Sequence, residues 1–344
     1  MQKMYNSHLY LRVLVFTTSC LYSSLTYGFS SSSDNINMAP TRVAVVGSTG
    51  QLGRRAVDQL LARKIPVKCL IRQANPPEFL AEKQQQFPDL IEFVTGGDVT
   101  NPDTVKQLLD GCSHCLALHG ATARSSFGEV LTAAEAQEDS DPSHAKQINY
   151  KSMQTFVQCA QDTDCRHIVR ITGKGEEPWS FFSVLINGLG RMAKGWNYEG
   201  EQVLRNQPTS NKKHLDYSVI RPGIMKTDFD PKEAKVHLQL ADNGGDLAVS
   251  VVSYDQIAEL CVESLFQPEA RKTTLTAMNV ADDTENSSPG LTIAQSLKRV
   301  KQDTRDFPKS LINEHKRAVK TVFTSLLASF LAVILGVILK LLVR

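Results

Sequence analysis

The stretch that most constrains this chain is Arg42–Arg55, RVAVVGSTGQLGRR. Four apolar residues, Val43 to Val46, read as a buried strand running into Gly47. Glycines recur at Gly50 and Gly53. From Leu52 the apolar positions Leu52, Ala56 and Leu60 fall four apart, with Val57 and Leu61 beside them. The order is strand, glycine turn, helix. This spacing suits a phosphate. Gly47 turns the chain, Gly50 lets backbone approach a pyrophosphate, and Gly53 permits close helix–strand packing. The helix N-terminus adds free N–H groups and partial positive charge. Gly47, Thr49, Gly50, Gln51, Leu52 and Gly53 are therefore the expected pyrophosphate cradle. A tight turn in some other α/β protein is the competing reading.

The two ends differ from this folded part. Between them lie roughly 250 of the 344 residues, enough for one large α/β domain. A net charge of +2 gives no electrostatic case for a nucleic-acid partner. Seven cysteines in this length do not make a disulfide framework. Residues 1–41 read as a targeting segment. Lys3 and Arg12 accompany a weak apolar run, Leu11 to Leu25. Thr26 and Gly28 are small residues at −3 and −1 of a cleavage site, and Phe29 and Ser30–Ser33 follow. This order resembles the two-part plastid address of algae with secondary plastids. An ordinary signal peptide leading to the ER, and a start at Met38 leaving the protein cytosolic, stay open. At the other end, Thr321 to Leu339 is 19 residues without a charge, twelve of them Leu, Ile, Val or Phe. As a helix it spans about 28 Å, close to the roughly 30 Å hydrocarbon core. Residues 321–343 are expected to be a single-pass membrane anchor. Ala328, Ala332 and Gly336 give it a small-residue stripe able to pack another helix.

Between the ends, apolar runs mark further strands: Val67–Ile71, followed by Arg72; Ile91–Val94, followed by Gly96, Gly97, Asp98 and Val99; and Cys115–Leu118, followed by His119, Gly120 and Ala121. Ile168–Ile171 ends at Thr172, and Tyr217–Ile220 ends in Arg221, Pro222 and Gly223. Ala123–Pro142 reads as a partly acidic loop and His144–Gln161 as a helix carrying Asn149 and Tyr150. Pro178–Met192 is apolar and suits a lipophilic substrate, a partner, a membrane surface or plain core packing. Residues 286–320 read as a basic linker, with Leu297–Lys320 lying on anionic lipid headgroups. Cys112 and Cys115 form a CxxC with no second pair at zinc-site spacing, so no metal is expected.

The phrases GSTGQLGRRAVDQLLARKIPVKCLIR and YSVIRPG resemble the short-chain dehydrogenase/reductase superfamily, in its atypical, NmrA-like branch. The resemblance runs from about Arg42 to Val280. It implies a doubly wound, mostly parallel Rossmann-type α/β sheet spanning residues 42–285, with a small C-terminal substrate region. It implies a nicotinamide cofactor, with Asp98 and Val99 at the adenine, Gly120 beneath the cofactor, and Pro222 and Gly223 beside the nicotinamide. Arg72 takes the position facing the adenine ribose, where an arginine meets a 2′-phosphate. NADP is therefore expected over NAD, with Arg54 and Arg55 adding charge. Thr172 takes the place of the family's catalytic or substrate-binding hydroxyl.

The superfamily reduces carbonyls with a Tyr and a Lys four residues later. No tyrosine here has that partner: Gln154 follows Tyr150, Gln202 follows Tyr198 and Arg221 follows Tyr217. Trp196–Arg205, WNYEGEQVLR, resembles instead the phrase W-K-x-x-x-E-x-x-L-R of plastid and cyanobacterial members, which include assembly proteins of photosynthetic complexes. Asn197 stands at its Lys position, and Glu201 keeps its acid. Lys194, almost one turn earlier, is expected to reach the same space. Tyr198 without a lysine would titrate at about 10. Thr172, Lys194 and Tyr198 are the candidate catalytic set. Two functions follow. One is a membrane-anchored, NADPH-dependent oxidoreductase of an unknown small or lipophilic substrate. The other is a non-catalytic NADPH-binding assembly or regulatory factor in a protein complex at the plastid membrane.

Overall fold

A computed structural model describes residues 39–207, 215–282 and 290–342; the targeting segment lies outside them. The chain opens as β1 (Val43–Val46), α1 (Gln51–Ala62), β2 (Val67–Leu70), α2 (Glu78–Gln86), β3 (Ile91–Val94), α3 (Pro102–Leu109) and β4 (His114–Ala117). It continues through α4 (Phe127–Thr132), α5 (Ser152–Ala160), β5 (His167–Ile171), α6 (Phe181–Leu189), α7 (Ala193–Arg205) and β6 (Asp216–Pro222). The C-terminal part holds β7 (Ile224–Lys226), β8 (Val236–Ala241), β9 (Val251–Ser253), α8 (Tyr254–Glu263), β10 (Thr273–Ala281), α9 (Ile293–Leu297) and α10 (Ile312–Leu342).

Among the described residues the main sheet has eight strands in the order β3-β2-β1-β4-β5-β6-β10-β8. Only β8 runs antiparallel, against β10. The doubly wound, mostly parallel sheet expected from the sequence is present. Val43–Val46 is apolar without alternation because it is buried on both faces. Val43 and Val45 join α1 and α8 on one face. Ala44 and Val46 join α3 and α5 on the other. Because the strands are parallel, all their C-terminal ends open on one edge, and the reversal of order between β1 and β4 makes the crevice there.

Local chemistry explains two departures from expectation. Ala123–Pro142 is not wholly loop: Ser126 and Glu129 form a reciprocal capping box that starts α4. No long apolar run follows that signal, so periodicity alone missed the helix. The 144–161 helix opens with a π-helical stretch, Lys146–Lys151, before α5.

The chain beyond β10 is laid along the domain. Ile312, His315, Ala318 and Val319, in the first turns of α10, are buried. Ile312 and Val319 share a cluster with Met192 and Trp196. The Glu199 carboxylate accepts from the N–H groups of Leu311 and Ile312 at 2.9 and 3.0 Å and from the Ser310 hydroxyl, so a residue of α7 caps α10. Lys316 pairs with Glu138 at 2.6 Å and Lys320 with Glu135 at 2.5 Å. These two cations, expected on lipid headgroups, instead neutralise the acidic segment after α4. Beyond Phe323, which still packs against the domain, α10 leaves it, and the helix is long and apolar enough to cross a membrane. Pro178–Met192 is core on one side only: Val184 and Met192 are buried, while α6 turns Phe181, Phe182, Leu185, Ile186 and Leu189 outward.

Glu199→Ala should loosen α10 from the domain. Losing a helix cap costs about 1–2 kcal/mol. Amide hydrogen exchange from Leu311 to Val319 should speed by about 5–30-fold, while α1 amides keep their protection.

Candidate functional site

The edge where the parallel strands end begins at the glycine turn. Gly47 has φ +81°, and a Cβ there would lie 3.0 Å from the Leu118 and His119 backbone. A Cβ on Gly53 would sit 2.1 Å from the Gly47 carbonyl oxygen, so only glycine lets α1 approach β1 so closely. Gly50 is the N-cap of α1. It makes no side-chain cap, and the first turn carries no acid. The N–H groups of Gln51, Leu52 and Gly53 are therefore the uncapped positive end of the helix. Leu52 is buried, so only its backbone faces the crevice, whereas Gln51 is exposed and its side-chain oxygen accepts from Arg55. Thr49 is half-buried, and its carbonyl accepts from Arg54. This backbone cradle fits a dinucleotide pyrophosphate.

Arg72 follows β2, is exposed, and forms no hydrogen bond or ion pair with the described residues. Arg54 lies over the Phe79 ring at 3.7 Å, and Arg55 is paired with Asp255 at 3.0 Å. Among these three arginines Arg72 is the one uncommitted. Exposed Asp98 accepts from the N–H and hydroxyl of Thr100 through one carboxylate oxygen, at 2.8 and 2.9 Å. Val99 packs partly into the core. Gly120 is exposed, and a Cβ there would meet only Asn149 Oδ1, at 4.0 Å. The turn is pinned by Asn149, which accepts from Ala121 N–H at 3.0 Å and donates to the Ala193 carbonyl at 3.1 Å. Pro222 and Gly223 end β6, but the crowding at Gly223 is internal: a Cβ would lie 2.2 Å from the Ser250 oxygen.

The other half of the edge is a side-chain network. Glu201, fully buried on α7, accepts from Thr172 at 2.6 Å, from Arg205 at 2.8 Å, and from Arg221 at 2.5 and 3.1 Å. Burial alone would raise its carboxyl; Arg221 and Arg205 overcome this and hold it at about 2. Arg221 also donates to Glu176 at 2.6 Å. Residues 303–311 lie over this network. Asp303 accepts from the Thr274 N–H and hydroxyl at 2.9 and 2.7 Å. The Phe307 ring lies against Arg205 at 3.9 Å and Arg305 at 4.2 Å. Arg305 in turn pairs with Glu176.

Tyr198 is buried, and its hydroxyl donates to the Pro308 carbonyl at 2.7 Å. Burial pushes its pKa up. Lys194 does not take the space beside Asn197. That place belongs to Arg170 of β5, which donates to Asn197 Oδ1 at 3.0 Å and to the carbonyls of Ala117 and His119 at 3.2 and 2.7 Å. Arg170 is fully buried, and its Nε has no partner. Burial pulls it down to about 10, so it stays charged at neutral pH. His119 bonds Ser152 at 3.0 Å; burial, then Arg170, lowers its pKa, so it is neutral at pH 7. Lys194, half-buried and without a hydrogen bond or ion pair to the described residues, is pulled down to about 8 by burial, which outweighs the upward pull of Glu177, with Lys174 and Arg221 adding to the fall. Arg170 and the 303–311 strap escaped the sequence reading. The available signal was an arginine inside the otherwise apolar HIVRI.

The NAD(P)H-binding family model matches residues 47–268. The photosystem II assembly factor Ycf39 of Trieres chinensis is 22% identical over 233 residues, covering 67% of this chain and 61% of that protein. Protein TIC 62, chloroplastic, of Arabidopsis thaliana is 24% identical over 229 residues, 63% of this chain and 32% of its own length. The chain thus spans less than two thirds of either relative. A solved short-chain dehydrogenase/reductase from Veillonella parvula superposes with a TM-score of 0.50 at 14% identity, over 72% of this chain and 99% of that one. That likeness is one of fold.

Glu201→Gln should destabilise the domain by about 3–5 kcal/mol, because it strands buried guanidinium groups. A carboxyl held at about 2, below its ordinary 4.5, stabilises the fold above pH 4.5 and loses that contribution as pH falls toward 2. An acid titration followed by circular dichroism should therefore show a weaker pH dependence over that window in Glu201→Gln.

Proposed function

Because the chain belongs to the NAD(P)H-binding family, we propose that it is a membrane-anchored, NADPH-binding assembly or regulatory factor of the plastid membrane. The observation that carries this reading is the hydrogen bond from Tyr198 to Pro308. The hydroxyl that family resemblance would make a proton donor is spent on the protein's own C-terminal strap. The acid beside it, Glu201, is likewise committed to Thr172, Arg205 and Arg221. The dinucleotide half of the edge has no such obstruction. The N–H groups of Gln51, Leu52 and Gly53 would hold the pyrophosphate, uncommitted Arg72 the 2′-phosphate, and Asp98 the adenine amino group. Gly120 would leave room beneath the cofactor. Apolar α10, largely exposed beyond Phe323, would provide the anchor. The relatives support the setting, since one is named a photosystem II assembly factor and another a chloroplastic protein.

One observation favours a second reading, an NADPH-dependent oxidoreductase. Lys194, near 8 and unpaired, is poised to donate a proton at neutral pH. Bound NADPH would supply the hydride; Lys194 would supply the proton and Thr172 would orient the substrate. NADPH oxidation by the full chain with a quinone or an enone, abolished in Lys194→Met and retained in Tyr198→Phe, would replace the first reading with this one.

The first measurement is thermal stability of the detergent-solubilised full chain against NADPH and NADH. A ligand bound only by the folded state raises it by mass action. NADPH should give the larger shift. Arg72→Ala should weaken NADPH about tenfold, the loss of one charge-assisted contact, and leave NADH unchanged. Equal shifts with the two cofactors would remove Arg72 from the site; no shift with either would remove the cofactor from the function.

A further inference from the structure

Helix α6 has its faces reversed. Ser183, Val184, Asn187 and Gly188 point into the protein, while Phe181, Phe182, Leu185, Ile186 and Leu189 point out. The outward residues range from 37% exposed at Leu185 to 74% at Phe181, and Trp179, just before the helix, is 52% exposed. A helix on the surface of a water-soluble domain places such residues inward. A contiguous apolar face of this kind marks an interaction surface.

The neighbour of α6 says what covers it. Phe323 of α10 lies on Gly188, where a Cβ would come within 2.5 Å of its ring, and Asn187 bonds His315 at 2.9 Å. Helix α10 runs unbroken from the docked turns at Ile312–Val319 into its exposed apolar part. With no hinge between them, the span begins at the domain surface: Lys320 to Phe323 is about 4.5 Å of helix. Exposed Leu326, Phe330 and Leu331 follow directly. The apolar row of α6 therefore stands beside the point where α10 would enter hydrocarbon. Phe127 is 73% exposed at the start of α4, a helix that also packs on α10.

Resting on the membrane anchoring read above, we propose that α6 lies in the headgroup–acyl boundary of the same bilayer that α10 crosses, seating the domain on the membrane. Phe181, Phe182, Leu185, Ile186 and Leu189 enter the acyl region to the shallow depth usual for interfacial helices, about 5–10 Å. Trp179 takes the headgroup level that tryptophan prefers.

The chain has two tryptophans, exposed Trp179 and buried Trp196, which supply an internal probe and control. The full chain is reconstituted into phosphatidylcholine liposomes containing lipid brominated at a shallow or a deep acyl position. Brominated lipid should quench the emission, the shallow label more than the deep one, and Trp179→Phe should lose this quenching. Phe181→Glu with Ile186→Glu, at exposed positions that leave the fold intact, should relieve it at Trp179. Protein that floats with the liposomes but keeps full Trp179 emission would overturn the seating of α6, assign its apolar face to a protein partner or a second copy, and leave the anchor standing. Protein that does not float would overturn the anchor itself.

Discussion

The Glu201 carboxylate is the charge around which the strand-end edge is assembled. It sits in the interior between Arg205 and Arg221 and takes the Thr172 hydroxyl as well. Burying a carboxylate is costly, and the cost is recovered only when its partners are close and its oxygens are filled. Both conditions are met here, and meeting them ties α7 to the ends of β5 and β6. Glu176, which accepts from Arg221, and Asp303, which pairs with Arg205 and accepts from Thr274, extend the network to the loop after β5 and to β10. Removing one member leaves the others charged and dry. The strap formed by residues 303–311 is held by this arrangement rather than by apolar packing alone.

The two halves of the edge are made of different material. The dinucleotide half is mostly backbone: free N–H groups, a left-handed glycine and a close helix–strand contact. Such a site depends on a few glycines and tolerates wide divergence elsewhere, consistent with relatives of 22% and 24% identity. The other half is made of side chains, and these are engaged with one another. Arg170 carries its charge next to Asn197 and the His119 carbonyl. The position where the resembled phrase has a lysine thus faces a cation supplied by a strand.

What the sequence made legible was local. Val43–Val46 and the glycines after it declare strand, turn and helix within a dozen residues, and the uncharged run from Thr321 declares an apolar helix by length. The parallel strands and their order of burial followed from short apolar runs. What stayed hidden depends on contacts between distant residues. Nothing near Pro308 says that Tyr198, on α7, donates to it. Nothing near Glu199 says that it caps α10. Lys316 and Lys320 look like headgroup ligands until Glu135 and Glu138 come opposite them. The apolar composition of α6 was plain, but its direction was not, because Asn187 and Gly188 turn inward to meet His315 and Phe323 of the distant α10.

The capping of α10 by Glu199 bears on where this domain stops. Ile312 and Val319 complete the cluster around Trp196, and His315 fills the space between Asn187 and the Gly175 carbonyl. A fragment cut ahead of Ile312 is therefore not the native domain relieved of a tail. It lacks one wall of its interior, leaves the Trp196 pocket open to water, and takes the Ile312 N–H from the Glu199 carboxylate. The folded body extends to about Phe323, and its last piece of core belongs to the same helix that carries the chain away from it.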